Sequence, residues 1–126
     1  MSVPTLLAKA LRSLGLVRYD LLARRTDAYP APDSLADGEL VVVVDGGMHK
    51  WACMRCPGGC GTVIPLSLTV RRRPRWSVTL DWLRRPTIDP SIHQTNECAC
   101  HFWITGGRVR WCGGGQRTTG SYHGSA

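Results

Sequence analysis

The chain has 126 residues, 43% hydrophobic and 20% charged, with 16 Lys plus Arg against 9 Asp plus Glu, a formal net charge of +7. That balance suits one folded domain with a modest core and excludes a disordered chain. No stretch approaches the ~20 apolar residues that cross a bilayer. Lys9 and Arg12 break up the opening Met1–Val17 too early for a signal-peptide centre, so the expected compartment is the cytoplasm, with no membrane partner.

In chain order, Thr5–Leu14 reads as a short amphipathic helix. Leu7, Leu11 and Leu14 recur at spacings of four and three, Pro4 suits the first turn and Gly15 the stop. Val17–Ala23 is expected as a first strand, followed by a turn-rich connector holding Pro30, Pro32, Asp33, Ser34 and Gly38. Leu40–Val44 and His49–Met54 are strands around Asp45-Gly46-Gly47, a hairpin signal. Thr62–Val70 is a further strand, and Pro65 within it argues for a sheet edge or a bulge. Trp76–Trp82 alternates, with Trp76, Val78, Leu80 and Trp82 on one face. His101–Ile104 and Arg108–Trp111 flank Thr105-Gly106-Gly107, a second hairpin signal, and the Gly-rich tail is expected to lack structure. The predicted class is mainly β, a small α+β fold of short antiparallel hairpins around one metal site. Residues 1–39 form its N-terminal part, 40–112 its core and 113–126 its tail.

Six cysteines stand at positions 53, 56, 60, 98, 100 and 112. A disulfide framework needs an oxidising compartment, whereas clustered thiols in a reducing one suit a soft metal. Cys56-Pro57-Gly58-Gly59-Cys60-Gly61 lets the backbone turn so that two sulfurs face one point, and Cys98-Ala99-Cys100-His101 supplies the other half. The preferred set is a tetrahedral zinc site of Cys56, Cys60, Cys98 and His101. Cys53, Cys100 and Cys112 stand as alternative ligands, and Cys53-x-x-Cys56 as a redox pair. The His-x-Glu and Pro-Cys-x-x-Cys pattern of deaminases, the His-Glu-x-x-His helix of metalloproteases and the phosphate loop are all absent.

Lys50–Gly61, Arg72–Trp76, Pro86–Ile92 and Cys98–Ile104 together resemble the bacterial domain of unknown function 6527. The resemblance covers about Leu40 to Cys112. It implies a small zinc-binding peptidase acting beside ubiquitin-like proteins and E1-like and E2-like enzymes, trimming the ubiquitin-like protein or removing it from targets. It also implies the metal set Cys56, Cys60, Cys98 and His101, and a recurring serine at Ser91, the residue expected to be catalytic. Cys100 stands where the family commonly has serine.

Peptide cleavage needs a nucleophile, a base and oxyanion stabilisation. Three layouts are open. Ser91 attacks with His101 or His93 as base and Asp81 as orienting carboxylate; zinc activates water beside Glu97 or Asp89; or Cys100 attacks. If His101 is the base, zinc needs another fourth ligand, with Cys100 and Cys112 as candidates. A competing reading is a non-catalytic, zinc-stabilised module that binds nucleic acid or a protein partner through Arg71–Arg75 and exposed tryptophans.

Overall fold

The computed structural model describes residues 3–69, 75–94 and 99–112. The tail 113–126, Arg71–Arg73, Glu97 and Cys98 lie outside them. Helix α1 (Val3–Ser13) precedes β1 (Leu22–Thr26) and a 3-10 turn at Pro32–Ser34. Then come β2 (Glu39–Asp45), β3 (Met48–Arg55), β4 (Val63–Ser67), β5 (Ser77–Leu80), β6 (Pro86–His93), β7 (His101–Thr105) and β8 (Arg108–Trp111). The class is the mainly β one expected. Two four-stranded sheets form, in the orders β1-β2-β3-β4 and β5-β6-β7-β8. Only β1 and β2 run parallel; the other pairs are antiparallel.

Both glycine pairs make the hairpins that their spacing predicts. Gly46 and Gly47 (φ 59° and 77°) close β2–β3, and Gly106 and Gly107 (56° and 78°) close β7–β8. Two successive positive φ values match the right-handed twist of the strands they join. Gly107 is also a hub: its carbonyl accepts from the Asp20 and Leu21 amides (2.6 and 2.8 Å), and its own N–H donates to Pro86 O (2.7 Å).

Strand alternation sends Leu40, Val42, Ala52, Met54, Ile64 and Leu66 of the first sheet against Ile88, Ile92, Phe102 and Ile104 of the second. Burying side chains of this size contributes roughly 1.5–3 kcal/mol each. The opposite face of the first sheet holds a smaller cluster of Leu35, Val41 and Cys53, with Trp51 and Val63 packed on it.

Four elements depart from expectation. The first strand begins at Leu22, because the chain before it is committed to Gly107. On α1 it is Ala8 and Leu11 that pack against Tyr19, Leu22 and Leu83, while Leu7 and Leu14 are exposed. β5 ends at Leu80: Asp81 Oδ1 accepts from the Leu83 and Arg85 amides (2.9 Å each), turning the chain and leaving Trp82 67% exposed. The unexpected β6 carries two prolines and a bulge, which erase its alternation. Pro65 does mark an edge, since β4 ends the first sheet.

Candidate active site

β6 and β7 pair with a change of register. Ile88 lies opposite Ile104 and Ile92 opposite Phe102, so β6 takes four steps where β7 takes two and carries two extra residues. Bulges of this kind re-aim a side chain. Here the extra length falls on the exposed Asp89 and Pro90 and the half-buried Ser91. The Asp89–Pro90 peptide is cis. Trp76, packed against the core, donates its indole Nε1–H to the Ser91 carbonyl at 3.2 Å and ties the bulge to the sandwich.

Phe102 and Ile104 point inward from β7, so His101 and Trp103 point outward. Ser91 Oγ lies 3.1 Å from His101 Nε2. With the ring proton on Nδ1, Nε2 accepts from the hydroxyl, the arrangement a general base needs. His93 is paired directly with His101 across the strands, and their rings stack at 4.5 Å and 18°. This pair belongs to the non-hydrogen-bonded set, where side chains approach most closely; the neighbouring Gln94 N–H to Cys100 O bond (2.9 Å) fixes that phase. Beside the bulge, Arg75, Trp76, Ser77, Asp89, Pro90 and Trp103 line a cavity of about 300 Å³.

Asp81 is not the orienting carboxylate of this pair. Its Oδ2 accepts from Arg85 Nε (2.6 Å) and Oδ1 holds the turn amides. Burial opposes its ionisation, and the Arg85 amide and guanidinium outweigh that, holding the carboxyl below its ordinary value. Among the described residues the ion pairs are Arg24–Glu39 and Arg85–Asp81, so neither histidine has a carboxylate partner there.

The cysteines divide between faces. Cys53 belongs to the outer cluster of the first sheet and Cys56 to the core, on opposite sides of β3, so the two do not form a redox pair. Burial pushes the Cys53 thiol up, against a lowering hydrogen bond from Tyr29, and keeps it neutral. Cys56 Sγ accepts from Gln94 Nε2 (3.0 Å) and from the Gly58 amide (3.4 Å). Two N–H donors aimed at one sulfur suit a thiolate. The Cys60 thiol donates to Thr62 Oγ1 (3.2 Å). Cys100 is fully buried in the same core cluster as Cys56, with Cys60 packed against it. Among the described residues, no three His, Cys, Asp or Glu side chains converge as a metal site, and Cys98 lies outside them. Of the predicted residues, Ser91 and His101 are brought together, and His101 meets the serine.

Of the tryptophans, Trp51 meets Tyr29 edge-on and Trp111 meets Phe102, while Trp82 and Trp103 are exposed. No helix is long and apolar enough to cross a membrane.

No curated protein and no solved structure matches the chain. A family model does, over residues 27–112, and it carries the description of a bacterial ubiquitination-like system serine protease (BubE), not the domain-of-unknown-function designation. The match spans more than half of the 126 residues and includes the bulge, His93, His101 and all six cysteines. The chain belongs to the bacterial ubiquitination-like system serine protease (BubE) family.

Proposed function

We propose that Ser91 is the nucleophile and His101 the general base of a peptidase that processes a bacterial ubiquitin-like protein, or removes it from its conjugates, in the cytoplasm. The observation that carries this reading is the 3.1 Å approach of Ser91 Oγ to His101 Nε2 on a bulge of β6. The family's description as a serine protease favours this layout over attack by Cys100 or by zinc-bound water. Ser91 Oγ adds to the scissile carbonyl carbon while its proton passes to His101 Nε2. The C–N bond then breaks and the leaving amine takes that proton. Water, deprotonated by the same nitrogen, hydrolyses the acyl ester and restores the hydroxyl. The His93 ring, stacked on His101, restricts the base to the orientation that faces Ser91. The E1-like and E2-like enzymes of the same system are expected partners through the shared ubiquitin-like protein.

Zinc has a structural place in this reading, on Cys56, Cys60 and Cys98, with Cys100 in place of His101. Support comes from the two N–H donors at Cys56 Sγ and from the shared core position of Cys56 and Cys100. Bound there, the metal would supply folding energy through a closed thiolate set. His101 is then left to the serine.

A fluorophosphonate probe tests the nucleophile directly. Wild-type protein is expected to gain one adduct mapping to Ser91, and to cleave a ubiquitin-like protein carrying a C-terminal extension. Ser91→Ala is expected to do neither. An adduct elsewhere, or cleavage at full rate by Ser91→Ala, would overturn the assignment.

A further inference from the structure

The hydrogen-bond phase of β4 leaves part of its outer edge open. Cys56 N–H donates to Thr62 O (2.8 Å) and Leu68 N–H to Lys50 O (3.0 Å), so Thr62, Ile64, Leu66 and Leu68 face β3. The backbone groups of Val63, Pro65 and Ser67 therefore face away from the sheet. The Ser67 carbonyl is taken by Trp76 N–H (2.9 Å). Pro65 has no N–H to leave unmatched, which is why a proline is tolerated there. Among the described residues, what remains open is the N–H of Val63 and of Ser67 and the carbonyls of Val63 and Pro65.

Across from this edge runs the end of β6. The Gln94-to-Cys100 bond turns Ile92 and Gln94 toward β7, so the N–H and C=O of His93 face the other way. Among the described residues, the pairing of β5 with β6 ends at Ser77–Asp89, short of His93. The two edges border one groove of about 270 Å³, with Ile64, Leu66 and Ile92 among its lining residues and Trp76 and His93 on its walls.

We infer that this groove seats an extended segment of the substrate, with its backbone hydrogen-bonded to Val63 and His93 as an added strand. The inference rests on the peptidase reading above. The groove is continuous with the reacting pair: His93 lines it and stacks its ring on His101. Trp76 lines it too and bonds the Ser91 carbonyl. A strand-like tail is the form of substrate that unpaired backbone groups recognise, because ladder bonds read main chain and leave side chains to shape. A folded surface offers no such row.

The test is residue-resolved amide exchange on ¹⁵N-labelled Ser91→Ala, with and without the ubiquitin-like protein bearing a C-terminal extension. The Val63 and His93 amides are expected to slow at least tenfold on its addition. In a second arm, Val63→Pro removes the outward N–H in the same phase as the existing Pro65, and is expected to raise KM about tenfold. If wild-type protein cleaves the fusion while both amides exchange unchanged, the groove assignment falls and the peptidase reading stands. If both amides slow but wild type neither cleaves nor takes the fluorophosphonate, the groove stands and the peptidase reading falls. Slowing that depends only on the protein's own concentration would place a second copy on this edge and overturn the proposal.

Discussion

His101→Ala separates a base from a metal ligand. As a base it takes the Ser91 proton, and such groups contribute about 10²- to 10⁴-fold, or roughly 3–6 kcal/mol of barrier at about 1.4 kcal/mol per decade. Among the described residues the ring makes one hydrogen bond, to Ser91 at 3.1 Å, and one stacking contact, with His93 at 4.5 Å. Losing the first costs about 0.5–1.5 kcal/mol of stability, and the second is of similar size. The variant is therefore expected to fold, to melt a few degrees lower, to match the metal content of the wild-type protein and to cleave at least a hundredfold more slowly. Nucleophile and base act as one unit, so Ser91→Ala/His101→Ala is expected to be no slower than Ser91→Ala alone. The assays are steady-state cleavage of the extended ubiquitin-like protein, thermal melting and zinc per chain. Cleavage within threefold of wild type would refute the base assignment. So would loss of the metal with collapse of the fold, since a structural zinc binds with roughly 10–16 kcal/mol.

Trp76→Phe keeps a ring in place but removes the Nε1–H that holds the Ser91 carbonyl. It is expected to lower kcat about tenfold, because a nucleophile displaced by a fraction of an ångström loses alignment; an unchanged kcat would show that the bulge holds itself. Gly107→Ala combines a positive φ of 78° with a Cβ 2.8 Å from Leu21 O, and is expected to destabilise the protein by about 2–4 kcal/mol, read by denaturant melts. The Arg24 guanidinium hydrogen-bonds Glu39 (3.0 and 3.1 Å) and holds its carboxyl below the ordinary value against the opposing effect of burial. That contribution is complete above the unfolded carboxyl's pKa of about 4.3 and is lost as pH falls through the lower folded value. Glu39→Gln is thus expected to melt slightly below wild type at pH 7, by about 0.2–1 kcal/mol for so exposed a pair, with the gap closing below about pH 4.

Local chemistry carried much of the fold into the sequence. Asp45-Gly46-Gly47 and Thr105-Gly106-Gly107 announce their hairpins because few other residues accept two positive φ values in a row. β6 stayed hidden because Pro86, Pro90 and the two-residue bulge break the alternation that marks a strand. The site was legible in its parts and obscure in its pairing. Ser91 stood out through resemblance, and His101 was visible both as a zinc ligand and as a base. Its spacing from Cys98 suits a metal, but linear spacing does not say that β7 turns Cys100 inward and His101 outward. Asp81 looked available on a polar strand face, yet the turn that ends β5 commits both its oxygens. The partnership of Ser91 with His101 depends on a register between β6 and β7 that no local signal encodes.

That register has a parity. The excess on β6 is two residues, an even number, so Ile88 and Ile92 both remain on the inner face despite the interruption. Removing one residue between them would drive His93 into the apolar interior and expel Ile92, so single deletions there should be lost with the fold. Removing Pro90 and Ser91 together would instead restore an unbroken ladder with every later side chain on its present face. A relative shortened by two residues at this point would keep the sandwich and the β4 edge while lacking Ser91, so on the proposed roles of Ser91 and the groove a single deletion event would lead from a cutter to a holder of the same chain ends.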